Sequence, residues 1–191
     1  YVPEPDPKMH ILAAGLVRRG HSVTTLTGFP NYPTGRIYPG YKQRMWQVEQ
    51  IDGVRVVRMP LFPDRSRSVL KRSLNYLTFP AYAALVGPWK CPQIDVLLVY
   101  HPPITLGVPA IVISRTKRAP FILEIQDLWP ETLLATKMLS GGVITGCLSR
   151  LADATYRKAT AITVISDGFR RNLISKGVPA EKLHVIHNWA Y

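Results

Sequence analysis

IDVLLVYH at residues 94–101 and PFILEIQDLW at 120–129 flank an apolar segment of helical character near 104–116. Two β-rich apolar runs with room for a helix between them fit a strand–helix–strand crossover, because parallel neighbours need a long connection. The alternation continues downstream. A helix is expected near 143–158, a strand at AITVIS (161–166), a short helix at 168–176 ended by Gly177, and a strand at LHVIHN (183–188). Near-continuous apolar strands separated by helices are what a parallel sheet covered on both faces requires. The expected class is α/β, a doubly wound, mainly parallel Rossmann-like sheet.

Upstream the same grammar holds. Residues 8–19, KMHILAAGLVRR, place Met9, Leu12, Ala13, Leu16 and Val17 on one helical face, with Gly20 as the stop. SVTTLTGF (22–29) reads as a strand that breaks into the ordered loop FPNYPTG. WQVEQIDGVRVVRMPLF (46–62) holds two extended runs about Asp52-Gly53, a hairpin dipeptide, and the second run should feed the sheet. Residues 68–86 set Leu70, Leu74, Leu77, Ala81, Ala84 and Leu85 along one face of an amphipathic helix that Pro80 should kink or divide.

The 191 residues, 47% hydrophobic, suit one buried core, so a single domain over 1–191 is expected, with any second full domain elsewhere. Lys and Arg number 24 against 12 Asp and Glu, a formal charge of +12 that favours an anionic partner: nucleic acid, acidic lipid or a phosphorylated substrate. Cys91 and Cys147 are far apart and without a nearby His cluster, against a zinc site or disulfide framework. The longest apolar stretch, LTFPAYAALVGPW (77–89), carries two prolines and is too short to span a bilayer, so a soluble or peripheral protein is expected. A chain opening on YVPEP without Met reads as truncated.

Ligands of open α/β sheets sit beyond the carboxyl ends of the strands. That rule selects Gly28–Gly35, Tyr100–Pro103, Gln126–Glu131, Ser166–Gly168 and His187–Trp189. These strand ends carry LVRRGHSVTTLTGFPNYPTG, then EIQDLWPET, then ATAITVISDGFRRNLISKGVPAEKLHVIHNW. In that order they resemble the N-terminal domain of family 4 retaining glycosyltransferases, the branch that builds colanic acid, O-antigen and capsular sugars.

The resemblance implies half of a GT-B architecture, in which this domain binds the acceptor and a C-terminal domain binds the nucleotide-sugar donor. It implies no cofactor and no dedicated metal, retention of anomeric configuration, and an inactive fragment when the donor half is lacking. The family's opening strand and glycine-rich turn would fall before Tyr1 or within PEPDPK, and its interdomain linker would begin at Asn188-Trp189. The implied partners are a nucleotide sugar, a lipid-linked or saccharide acceptor, an anionic membrane surface and the chain's own C-terminal domain, with no nucleic acid. The implied location is cytoplasmic, on the inner face of the cell membrane.

Asp127 should emerge at the mouth of the cleft, where a carboxylate could orient an acceptor hydroxyl or take up its proton; its alternative is an N-cap for the turn starting at Leu128. Many relatives carry His-Asp where this chain has Gln126-Asp127, which leaves Gln126 a hydrogen-bonding role. Acceptor contact is assigned to Asn31, Tyr32, Tyr100, His101 and Glu131, each with a structural alternative: a turn for Asn31 and Tyr32, strand-end packing for Tyr100 and His101, a helix opening for Glu131. Arg65, Arg67, Lys71 and Arg72, beside Leu74, Tyr76, Leu77, Phe79 and Tyr82, suit a face resting on anionic lipid, or else a solvated face. Ser166 lacks a G-x-S-x-G elbow and reads as a helix N-cap. A nucleotide-sugar 2-epimerase, a basic nucleic-acid-binding domain and a dinucleotide oxidoreductase are the rival readings; FPNYPTG and DLWPET point away from the first and the third, and no helix-turn-helix, aromatic RNA-binding strand or zinc pattern supports the second.

Overall fold

The computed structural model describes residues 8–64, 66, 68–135 and 142–188. The chain falls into two compact units, Tyr1–Pro92 and Gln93–Tyr191.

In the first unit, α1 (Lys8–Arg18) leads to β1 (Thr24–Gly28), a hairpin of β2 (Gln47–Ile51) and β3 (Val54–Met59), and α2 (Val69–Lys90). The hairpin turns at Asp52-Gly53 as expected, with positive φ at both residues (49° and 77°), the twist that suits tight hairpins. β3 is central, parallel to β1 and antiparallel to β2. Its two faces are both covered. Val54 and Val56 pack with Ala13 and Val17 of α1, whereas Val57 and Met59 pack with Phe79, Tyr82, Ala83 and Val86 of α2. Arg58 is buried in β3, where it pairs with Glu49 and lies 4.8 Å from the Tyr41 ring centroid.

α2 corrects two expectations. It continues as one helix through Pro80 and Pro88, so of the kink or division expected at Pro80 the division does not occur. The leucine-rich face also points outward: Leu70, Leu74, Leu77 and Leu85 are exposed, and the core is met by Phe79, Tyr82, Ala83 and Val86. Aromatic and β-branched volume on the second stripe fills the space above β3, so the leucines are left to solvent. Phe79 and Tyr82 are therefore core residues and do not belong to a lipid-facing surface.

The second unit contains a four-stranded, all-parallel sheet in the order β4 (Leu97–His101), β5 (Phe121–Ile125), β6 (Ala161–Val164), β7 (Leu183–Val185). The crossovers are α3 (Gly107–Lys117), α4 and α5 (Glu131–Ala135 and Val143–Lys158), and α6 (Asp167–Ser175). A 3-10 turn, Ile104–Leu106, precedes α3 where one helix was expected. Ser166 caps α6, its hydroxyl accepting from the Phe169 N–H at 3.3 Å. Gly177 follows α6 with φ +85°, the left-handed stop predicted for it. β5 is buried at four of its five positions. β4 buries Val99 and His101 only; Leu98 and Tyr100 are exposed, because β4 is an edge strand with one partner among the described residues.

Candidate functional site

Four parallel strands end at one rim of the second unit, and their ends are tied together. Gln126 N–H donates to the His101 carbonyl at 3.0 Å, joining β4 to β5, and Ile186 N–H donates to the Val164 carbonyl at 2.8 Å, joining β7 to β6. The His187 ring nitrogen Nδ1 lies 3.0 Å from the Ile165 carbonyl. Across the rim Asn188 Nδ2 donates to Gln126 Oε1 at 2.8 Å, and Gln126 Nε2 donates in turn to Glu124 Oε1 at 2.8 Å. Gln126 is thus the centre of a polar chain from a buried strand carboxylate to β7. Both polar side-chain atoms of Gln126 are thereby engaged by protein partners.

Asp127 follows directly. Its Oδ1 accepts from the Thr132 hydroxyl at 2.6 Å and its Oδ2 from the Trp129 indole at 3.2 Å. Both donors are side chains, so Asp127 is clamped across the turn by its neighbours in DLWPET and is no simple backbone cap. A carboxylate oxygen can accept two hydrogen bonds and each of these accepts one, so the clamp fixes orientation while leaving lone pairs.

His101 is 1% exposed, and among the described residues neither ring nitrogen has a hydrogen-bond partner. Its ring meets the Trp129 ring edge-on at 6.3 Å between centroids. Burial lowers its pKa to about 4, against the opposing pull of the Asp127 carboxylate and of its own backbone. At neutral pH it is an uncharged imidazole under the rim. Burial in this arrangement keeps the ring out of direct contact with a bound molecule. The neighbouring Tyr100 is exposed on the opposite face of β4, its phenol held above the ordinary tyrosine range by burial and then by the Glu124 carboxylate.

Glu131 opens α4, as its Pro-Glu context predicts, and its Oε1 accepts from Lys176 Nζ at 2.5 Å. It also lines a cleft of about 320 Å³ with Trp129, Pro130, Asp153, Tyr156 and Lys176. Tyr156 is buried and its hydroxyl has no partner among the described residues; burial, then Glu131 and Asp153, push its pKa upward. Trp129 thus both lines the cleft and donates to the Asp127 carboxylate. Trp129 and Asn188 fall within the strand-end ranges selected from the sequence but are given no role there, and Thr132, Glu124 and Tyr156 are not selected. Only DLWPET, as a motif, hints at Trp129 and Thr132.

The remaining site residues lie in the first unit. Asn31 Nδ2 donates to the Phe29 carbonyl at 2.9 Å and its carbonyl accepts from Gly35 N–H at 2.7 Å, so Asn31 organises the FPNYPTG turn. Tyr38 donates its hydroxyl to the Tyr32 carbonyl, and the Tyr32 ring is 55% exposed. Lys71 and Arg72 sit in the first turns of α2 behind the Ser68 cap; Arg65 and Arg67 lie outside the described residues.

No helix among the described residues is long and apolar enough to cross a membrane. Over 184 residues the chain is 26% identical to the protein of Escherichia coli (strain K12) named as a colanic acid biosynthesis glycosyl transferase, WcaI; the alignment covers 92% of this chain and 44% of that protein. The chain thus spans less than half the length of that curated relative. The family model described as a glycosyl transferase 4-like domain matches residues 7–189, both units together, and the chain belongs to that family.

Proposed function

We propose that this chain is the acceptor-side domain of an enzyme that transfers a sugar from a nucleotide-sugar donor to a lipid-diphosphate-linked acceptor in cell-surface polysaccharide assembly. The observation that carries the reading is the clamped Asp127 carboxylate at the carboxyl ends of four parallel strands, where open α/β sheets take ligands. Asp127 accepts the hydrogen bond of the acceptor hydroxyl and receives its proton. The hydroxyl oxygen bonds to the anomeric carbon as the bond from that carbon to the diphosphate oxygen breaks, with retention of configuration.

Glu131 and Tyr100 contact the acceptor. Gln126 and the uncharged His101 act behind them, fixing the rim and setting the field at Asp127. The diphosphate charge is met by a C-terminal donor domain. The work takes place at the inner face of the cell membrane, with Lys71 and Arg72 toward its anionic lipid.

The test uses the full-length parent protein, a nucleotide sugar and a synthetic prenyl-diphosphate sugar. Asp127→Asn, which leaves one acceptor oxygen for the two clamp donors, should slow turnover by about a hundredfold or more while costing only about 1–2 kcal/mol of stability, so that the variant is still folded at the assay temperature. Normal turnover in that variant removes Asp127 from the mechanism. No consumption of any nucleotide sugar by the wild type removes the transferase reading itself.

A further inference from the structure

The outward face of α2 is an apolar stripe that no element among the described residues covers. Positions 70, 74, 77, 81, 85 and 89 recur at helical spacing and carry Leu, Leu, Leu, Ala, Leu and Trp. All six are exposed, Leu70 to 71%, Leu85 to 68% and Trp89 to 81%. A single large apolar side chain in water is ordinary, whereas a continuous row along a 22-residue helix marks a contact surface.

The carboxyl end of the helix widens the patch. Lys90 Nζ lies 3.5 Å from the centroid of the Trp46 ring, which places the exposed Trp46 beside the last turn, and Met45 next to it is also exposed. Arg55 fixes that end by donating to the Lys90 carbonyl at 2.9 Å.

Charge decides what the surface fits. From Arg65 through Ile94 there is no acidic residue, while Arg65, Arg67, Lys71, Arg72 and Lys90 are basic. Apolar side chains in a row, cations toward both ends and tryptophans at one end are the arrangement of a helix lying in the plane of an anionic bilayer. Tryptophan rings favour the headgroup level, and Lys71 and Lys90 can reach phosphates while their stems stay with the apolar stripe.

We propose that the α2 face formed by Leu70, Leu74, Leu77, Leu85 and Trp89, extended by Trp46, is a membrane-docking surface that inserts at the interface of anionic lipid bilayers. This deepens the peripheral-membrane part of the functional reading and moves the main contact from the basic segment at 65–72 to the apolar stripe.

The experiment is co-flotation of the full-length parent protein with vesicles of phosphatidylcholine alone or mixed with phosphatidylglycerol, at low and high salt. Wild type should float with the anionic vesicles, less so at high salt. Leu77→Glu and Leu85→Glu, each at an exposed position, should each weaken binding by about tenfold or more while the melting temperature stays put. The proposal is overturned if wild type floats with neither vesicle, or if both variants float like wild type. A concentration-dependent dimer in vesicle-free buffer that Leu85→Glu dissolves would assign the stripe to a second copy and overturn it equally. Transfer to a water-soluble short-prenyl acceptor should be unchanged in both variants, so failure of flotation and failure of the transferase reading are separate results.

Discussion

Acidification should weaken the second unit through one residue, His101. In the unfolded chain an imidazole takes its proton near 6.5, whereas in the folded protein this ring resists protonation down to about 4. Between those values the unfolded state binds the additional proton, so stability is complete above about pH 6.5 and falls as the pH drops toward 4. At about 1.4 kcal/mol per pH unit the full interval corresponds to a loss of about 3 kcal/mol. The ring is buried, so solvent screening does not reduce that figure appreciably. His101→Leu removes the titrating group, and since neither ring nitrogen has a hydrogen-bond partner among the described residues, it sacrifices no polar contact seen there. Denaturant unfolding of both proteins between pH 7.5 and pH 4.5 should show the stability gap moving by about 2–3 kcal/mol in favour of the variant. A gap that does not change with pH, or an imidazole resonance of His101 titrating near 6.5, would refute the argument.

Two further outcomes follow from packing. A Cβ at Gly107 would stand 2.1 Å from Thr155 Oγ1, and φ there is an ordinary −58°, so Gly107→Ala tests crowding between α3 and α5 without backbone strain. It should cost about 2 kcal/mol in denaturant unfolding, with most of that clash absent when Thr155→Ala is combined with it. In the first unit, Glu49→Leu leaves the buried Arg58 guanidinium without its carboxylate and should cost about 3 kcal/mol; adding Arg58→Met should recover more than half, which thermal or urea melts of the double variant would measure.

Local chemistry made much of this protein legible from its residues in order. Asp52-Gly53 can adopt the left-handed turn that joins β2 to β3, Ser166 can cap the helix after it, and Gly177 can end that helix, because each acts through its own backbone or a neighbour's. The apolar runs and the spacing between them required crossovers, hence the parallel pairing of β4, β5, β6 and β7, whose order the structure supplies. The rule that ligands sit beyond strand ends then drew attention to Gln126 and Asp127.

What sequence order leaves open is which distant side chains meet. Asn188 reaches Gln126 across 62 positions and Lys176 reaches Glu131 across 45, contacts that exist only once β6, β7 and α6 have joined β5 in the folded unit. The burial of His101 is of the same kind: its strand-end place is written in the chain, yet its neutral state comes from the Trp129 ring and the core closing around it. α2 shows the limit most plainly. Two stripes of its surface are apolar, and periodicity alone singled out the leucines. Only the shape of the space above β3, filled by Phe79, Tyr82, Ala83 and Val86, decided that the leucine stripe would face outward.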